Sequence, residues 1–390
     1  MELSIRIPVM FETKIFDSIS KIDRKAWNSL IGKDRIICKY DFLKAVEESK
    51  INDCEYYYLM FYENGIPVAN TWAYTMSMDL VTQIITQEKG IAGKIIRHIR
   101  KSFPKFLFAK ILECGSPIAL GPNINIKNGY DIKAVLPNIM KAMQKIGKEK
   151  KARFLIMRDF YGKDVDDLNN LFKNNGYILS DNLPDVDFYN KWDSFNDYLK
   201  EIRMKYRYNY KVCNSALEKG GISVEVTDDF EKYVPRILEL YFNFYNHAKV
   251  YRREILTENF FYNTSKYMKD RAKVMLLKKG SSVIGFGFFL LDDDTVRLLY
   301  GGMDYDSKDE YKTYFNIYYQ FLKYAMSNKM KKIEMGLTSY DFKISLGAEI
   351  VPLYVYLHHL NGFINMLLKL FANVLFEETK TVSRHPFKKN

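Results

Sequence analysis

Cysteine is scarce in this chain and scattered. Cys38, Cys54, Cys114 and Cys213 form no CxxC pair, which argues against a zinc module and against a disulfide framework. The five histidines do not cluster, so no metal is expected. A free cysteine nucleophile wants a histidine nearby; none accompanies Cys114, which is read as structural. Long apolar runs are missing too. The longest, Gly362 to Phe376, carries Lys369 and two asparagines and is too short to cross a bilayer. The opening residues have a charge at Glu2 and no apolar h-region, so no secretory signal is read and a cytoplasmic location is expected. No short-period repeat suggests a solenoid, and no heptad run suggests a coiled coil.

What is present is enough apolar material for a folded chain, 47% of 390 residues, with 27% charged. That length exceeds what a single core usually fills, so two domains are expected. A net charge of +12 favours contact with something anionic, such as nucleic acid, a phosphorylated ligand or a membrane surface. The same lysine-, isoleucine- and tyrosine-rich composition also fits an AT-rich genome, so charge alone does not single out nucleic acid.

Two halves with a similar order of elements can be read. In the first, Asp23–Leu30 and Tyr40–Ser49 look helical, and Glu55–Tyr62 and Pro67–Ser77 form a hairpin around Glu63-Asn64-Gly65. A helix at Asp131–Lys148 leads into a buried-type strand, Ala152–Arg158, and then a helix at Asp164–Asn174. Asn182-Leu183-Pro184-Asp185 reads as the interdomain boundary. The second half has strands at Ile222–Val226, Ala272–Leu277, Val283–Leu291, Val296–Tyr300, Lys332–Met335 and Pro352–His359. Helices are expected at about Phe230–Tyr245, Tyr311–Ser327 and Ser339–Leu346. The fold class is α+β. The expected division is 1–185, 186–360, and a third segment, 361–390, of amphipathic helix and basic tail.

The boundary helix is the most distinctive stretch. From Trp192 to Gly221 one helix is expected, with Leu199, Ile202, Tyr206, Tyr210, Cys213 and Leu217 on a buried stripe. Lys200, Arg203, Arg207 and Lys211 recur on a neighbouring face. Like charges at this spacing repel by about 0.2–0.5 kcal/mol per pair, which is tolerable on a solvated face or where the stripe meets an anion.

Three segments carry a resemblance to a known family. YLKEIRMKYRYNYKVCNSALEKGGISVEV is similar to the basic helix and strand of tandem-GNAT acyltransferases of the FemAB/FemX-like and BioF/CelD-like acetyltransferase branch. VIGFGFFLLDDDTVRLLYGGMDYDSKDEY resembles their central hairpin, and KKIEMGLTSYDFKISLGAEIVPLYVYL their closing segment. AWNSLIGKDRIICKYDFLKAVEES resembles their opening. The resemblance implies two GNAT-like domains, each a mainly antiparallel mixed sheet flanked by helices. It implies transfer of an acyl or aminoacyl group from an activated donor to an amine by direct attack. Acetyl-CoA-using members grip the pyrophosphate with a glycine-rich turn at a helix N-terminus. The corresponding region here, Asp304 to Lys312, has no glycine and four carboxylates. No tightly bound cofactor is expected. The donor stays open among acyl-CoA, acyl-carrier protein and aminoacyl-tRNA. One alternative is a FemX-type transfer from tRNA to a cell-wall precursor or small metabolite, and another is a non-catalytic binding protein.

Such chemistry needs a neutral amine, a donor for the developing oxyanion and a proton acceptor. The resemblance places Lys343 near the sheet's open end as the first catalytic candidate. Further candidates are Asp341 as a base or amine-orienting group, Asp304 just after the glycine pair that ends its strand, and Tyr340 as a proton donor to a leaving group; each also reads as a cap or surface residue. Gly285 and Gly287 either free a backbone N–H for the acyl carbonyl or make room for phenylalanine packing. Tyr300 lines the acyl pocket or belongs to the core. Arg203, Arg207 and Lys211 are expected to bind phosphates of a donor or of a lipid- or nucleotide-linked acceptor. Glu113-Cys114-Gly115-Ser116-Pro117 is a candidate substrate loop between domains. The segment 361–376 is amphipathic enough to dock on the protein or to lie on a membrane surface.

Overall fold

The computed structural model describes residues 11–79, 98–105, 108–248, 253–371 and 386–388. The first half contributes β1 (Glu12–Phe16), α1 (Arg24–Asn28), α2 (Tyr40–Glu48), β2 (Glu55–Glu63), β3 (Ile66–Asp79), β4 (Phe108–Cys114), β5 (Asn125–Ile126), α3 (Ile132–Glu149), β6 (Phe154–Phe160), α4 (Gly162–Asn174) and β7 (Ile178–Asp181). The first half ends in β8 (Asp185–Tyr189), and the second contributes α5 (Phe195–Glu201), α6 (Met204–Lys219), β9 (Ile222–Thr227), α7 (Val234–His247), α8 (Glu258–Met268), β10 (Ala272–Lys279), β11 (Ser282–Leu291) and β12 (Thr295–Met303). It continues with α9 (Thr313–Ser327), β13 (Lys332–Glu334), α10 (Tyr340–Ser345), β14 (Glu349–Val351), β15 (Tyr354–His359) and α11 (Gly362–Leu370).

The β2–β3 hairpin shows how local chemistry fixes an element. Its two-residue loop, Asn64-Gly65, has φ of 51° and 78°, the paired left-handed conformation that matches the twist of the flanking strands. That register puts Tyr58 opposite Trp72 and Tyr56 opposite Tyr74. All four are buried.

Both sheets follow one plan. The first runs β1-β2-β3-β4-β6-β15-β7, with β5 added to β3, and the second runs β9-β10-β11-β12-β13-β8-β14. In each, four antiparallel strands precede one parallel pair, β4 with β6 and β12 with β13. The sixth strand of each sheet comes from the other half: β15 lies between β6 and β7, and β8 between β13 and β14. The closing strand expected at Pro352–His359 therefore forms, but in the first sheet rather than among its sequence neighbours.

A shared core joins the halves. Trp27, Phe42 and Trp72 belong to one apolar cluster with Phe260, Phe286 and Phe288. Helix α8, which the spacing does not predict, supplies Phe260 and Phe261 and packs on α2. There Thr257 Oγ1 donates to Ser49 O at 2.8 Å and Tyr267 Oη to Glu48 Oε2 at 2.6 Å.

The single helix expected from Trp192 is two. Ile202 and Arg203 are extended, with ψ of 150° and 151°. Their backbone pairs with the C-terminal segment instead: Ile202 bridges Phe387, and Arg203 N donates to Pro386 O at 2.9 Å. Phe387 also stacks on Trp192, ring centres 5.3 Å apart. The periodicity is helical on both sides of the break, and the contact that interrupts it comes from the far end of the chain.

Candidate active site

A cavity of about 410 Å³ opens where β12 and β13 part company. The two strands pair only from Thr295 with Lys332 to Arg297 with Glu334. Beyond that point β12 bulges at Leu299, since Phe288 faces Tyr300 but Phe289 faces Leu298. Met335 instead bonds to Val186 O of β8. Gly336 then turns the chain with φ of +70°, and Thr338 and Ser339 are also left-handed, at 64° and 51°. A β-branched residue held in that region is strained. Residues 298–303 form one wall and 335–339 the other, with Tyr314, Ile317 and Tyr318 of α9 between them.

Strand register assembles a charged floor. Arg297, Glu334 and Asp187 lie abreast on three adjacent strands, and the period of two adds Asp185 and Lys332 to the same face. Arg297 Nη1 lies 2.6 Å from Glu334 Oε2. Lys332 Nζ bridges Asp187 Oδ2 and Glu334 Oε1, each at 2.8 Å. Asp185, Glu334 and Arg297 line the cavity. The three carboxylates offer oxygens within 4.8 Å of one another, the one grouping among the described residues that could hold a metal ion. Two side-chain cations already occupy their neighbourhood, so the donor set is largely neutralised without one. Burial, reinforced by Glu334 and Asp187, pushes the Asp185 carboxyl up to about 7. Despite its burial, Lys332 is held above its usual range by Glu334 and Asp187.

The first half builds the opposite wall. Tyr74 and Glu113 are register partners on β3 and β4, and Tyr74 Oη donates to Glu113 Oε1 at 2.5 Å. Arg158 of β6 and Arg253 each pair with that carboxylate, at 2.9 and 2.7 Å. Against the effect of burial, Arg253 and Arg158 bring the Glu113 carboxyl down to about 2. The loop after β4 runs between the sheets, its alternate carbonyls held from both sides. Arg158 donates to Ser116 O, Tyr300 Oη to Ile118 O at 3.1 Å and Arg297 to Leu120 O at 2.7 Å. Gly115 makes the close approach possible: with φ of +143°, its Cβ position would lie 2.9 Å from Arg158 Cγ.

Of the residues singled out by sequence, Tyr300 lines the cavity. Lys343 is wholly buried behind its wall, where Nζ donates to Gly336 O and Leu337 O, both at 2.7 Å. Burial brings its amine down to about 7. Tyr340 Oη donates to Pro184 O at 3.2 Å, next to Asp185. Asp341 is exposed on α10, and Asp304 is a turn residue that accepts from Asp306 N at 3.0 Å and lies 3.7 Å from Arg236. Gly285 and Gly287 do not line the cavity. A Cβ at Gly285 would lie 2.6 Å from Thr313, and one at Gly287 would lie 3.3 Å from Ile317, so both allow α9 to lie close on β11. The basic stripe does not reach the cavity either. Arg203 Nε donates to Phe387 O and Arg207 Nη2 to Ile202 O, at 2.9 and 3.0 Å, while Lys211 is exposed.

Asp185, Glu334, Arg297, Arg158 and Arg253 were not among the sequence candidates. A usable signal existed in Asp185-Val186-Asp187 and Lys332-Ile333-Glu334. Charges there flank an apolar residue in strand-length segments, which places them on one face.

A family model named FemAB-like and described as peptidoglycan biosynthesis/recognition matches residues 18–385. The chain is 28% identical over 327 residues to a Mycobacterium tuberculosis protein named "Putative 8-amino-7-oxononanoate synthase 2", covering 82% of this chain and 42% of that one. It thus spans less than half the length of that curated relative. Among solved structures it is similar to FemX, with a TM-score of 0.57 and 11% identity over 92% of this chain and 100% of that one. It is also similar to L-PGS from Bacillus licheniformis, with a TM-score of 0.50 and 10% identity over 90% and 96%. At these identities the likeness is one of fold, and the α+β, doubled GNAT-like architecture is the one expected from the sequence.

Proposed function

The chain belongs to the FemAB-like family, whose members have the character of acyl- or aminoacyl-transferring proteins, and from that premise we propose that it acylates an amine in the cavity between its halves, with Asp185 as proton acceptor. The observation that carries this reading is a buried carboxyl poised near 7 on the wall of that cavity. A base with such a value takes a proton efficiently at neutral pH. The amine nitrogen attacks the acyl carbonyl carbon, and its proton passes to the Asp185 carboxylate. The developing oxyanion faces the edge of β12 beyond Arg297, where no described strand covers the backbone and N–H donors can stabilise it. Collapse breaks the bond to the leaving oxygen or sulfur, which takes up the proton.

The donor is read as an aminoacyl ester rather than a CoA thioester. Asp304, Asp306, Asp309 and Glu310 precede α9, and their charges oppose a pyrophosphate at that helix end. Thermal-shift titrations with acetyl-CoA and with an aminoacyl-tRNA pool, followed by transfer to an amine panel, test the reading. The expected result is a salt-sensitive shift with charged tRNA. Transfer should then fall by roughly 10²–10⁴-fold in Asp185→Asn, with donor binding retained. Wild-type transfer rates in Asp185→Asn would sink the assignment.

A further inference from the structure

Helix α11 is turned inside out. Its deeply buried side chain is a polar one, Asn365, 7% exposed, which accepts from His359 N and donates to Gly176 O, both at 2.9 Å. Its large apolar side chains point away from the protein: Phe363 is 66% exposed and Leu370 71%, with Ile364, Met366 and Phe371 exposed beside them. At 100° per residue Phe363, Met366, Leu370 and Phe371 share one face and Asn365 and Lys369 the other. An ordinary surface helix has the reverse arrangement, and a contiguous exposed apolar face of this kind marks a contact surface.

The surroundings favour one occupant. Leu360 N donates to Arg153 O at 3.0 Å, and a Cβ at Gly147 would lie 3.2 Å from Leu360. The helix therefore sits at the end of the first sheet where α3 and α4 finish and β6 and β7 begin. The stretches meeting there, 148–153, 173–177 and 361–371, hold six cations and a single acid, Glu149. Lys150 pairs with Glu55. Lys148, Lys151, Arg153, Lys173 and Lys369 are exposed and have no ion pair among the described residues. An apolar helix face rimmed by unpaired cations is complementary to an anionic lipid surface, which takes the apolar side chains into the acyl boundary and the cations onto its headgroups. No helix among the described residues is long and apolar enough to cross a membrane, so the contact is with the surface.

We propose that α11 and its basic rim form a docking site for an anionic membrane surface. The cavity lies at the other end of β6, so docking would hold it roughly 20 Å from the lipid. The test is flotation of the full chain with vesicles of phosphatidylcholine alone or with 30% phosphatidylglycerol, at low and high salt. Two variants accompany wild type: Phe363→Glu/Leu370→Glu, and Lys148→Glu/Lys151→Glu/Arg153→Glu. Wild type should float with the anionic vesicles and lose most of that binding at high salt. Each variant should bind at least tenfold less while keeping the wild-type melting temperature. Wild type that fails to float overturns the proposal. So does apolar-face burial in a second copy, seen as a dimer by light scattering that Phe363→Glu/Leu370→Glu dissolves while vesicle binding is unchanged.

Discussion

Replacing Asp185 with asparagine should make the protein more stable while removing its chemistry. The carboxyl is buried beside Glu334 and Asp187, which raises it from 3.8 to about 7. The folded state therefore binds a proton more tightly than the unfolded state does. Below about pH 4 both states are protonated and the group leaves stability unchanged. As pH rises toward 7 the unfolded chain ionises first, and stability is lost across that window; above it the full penalty remains. At ~1.36 kcal/mol per pH unit the penalty approaches roughly 4 kcal/mol. With an unfolding entropy of about 2.1 cal/mol/K per residue, this corresponds to about 5 °C in a chain of this length. Asparagine preserves the shape and the acceptor for Val186 N but carries no charge. Calorimetric melts of wild type and Asp185→Asn at pH 4 and pH 8 test the reasoning. The variant should gain at pH 8 and little at pH 4. Equal melting temperatures at pH 8 would refute the raised carboxyl and, with it, the base assigned to this site.

Glu113→Gln should behave in the opposite way, because it leaves Arg158 and Arg253 without the anion between them. A loss of about 3–5 kcal/mol in urea unfolding at pH 7 is expected for breaking a buried pair. Since the native carboxyl sits near 2, its contribution is present above about 4.5 and fades as pH falls toward 2, so the gap between wild type and variant should narrow at pH 3. Gly302→Ala should cost about 1–3 kcal/mol, because a Cβ there would lie 2.5 Å from the Leu240 carbonyl of α7. Gly362→Ala, with nothing within 4 Å, should melt within about 1 °C of wild type, and an equal loss in both would show that α7 yields to the added methyl.

The hairpin at Asn64-Gly65, the apolar stripes of α3 and α9, and the α+β class were all legible, because each depends on neighbours a few residues apart. The break at Ile202 was not, since Pro386–Lys388 impose it from the far end of the chain. The surroundings of the basic stripe were hidden for the same reason: Arg203 turns to the Phe387 carbonyl and Arg207 to the Ile202 carbonyl. Lys343 was singled out by resemblance, and its position depends on strained backbone at Gly336 to Ser339 that no spacing rule describes. Asp185, the proposed base, was hidden because its raised pKa comes from burial first and from Glu334 second, and both depend on the β8–β13 pairing. The inverted face of α11 could not be read either. Periodicity reports that a helix has two faces and says nothing of which one turns inward.

The exchange of β8 and β15 makes the two halves each other's missing part. A fragment ending at Tyr189 would leave β6 and β7 facing an empty slot, and one starting after it would leave β13 and β14 in the same state. Neither piece should persist alone, yet co-expressed they carry the same strands and could close each other's sheets. Because Asp185 stands at the head of one exchanged strand, the cavity would exist only once the two pieces had met.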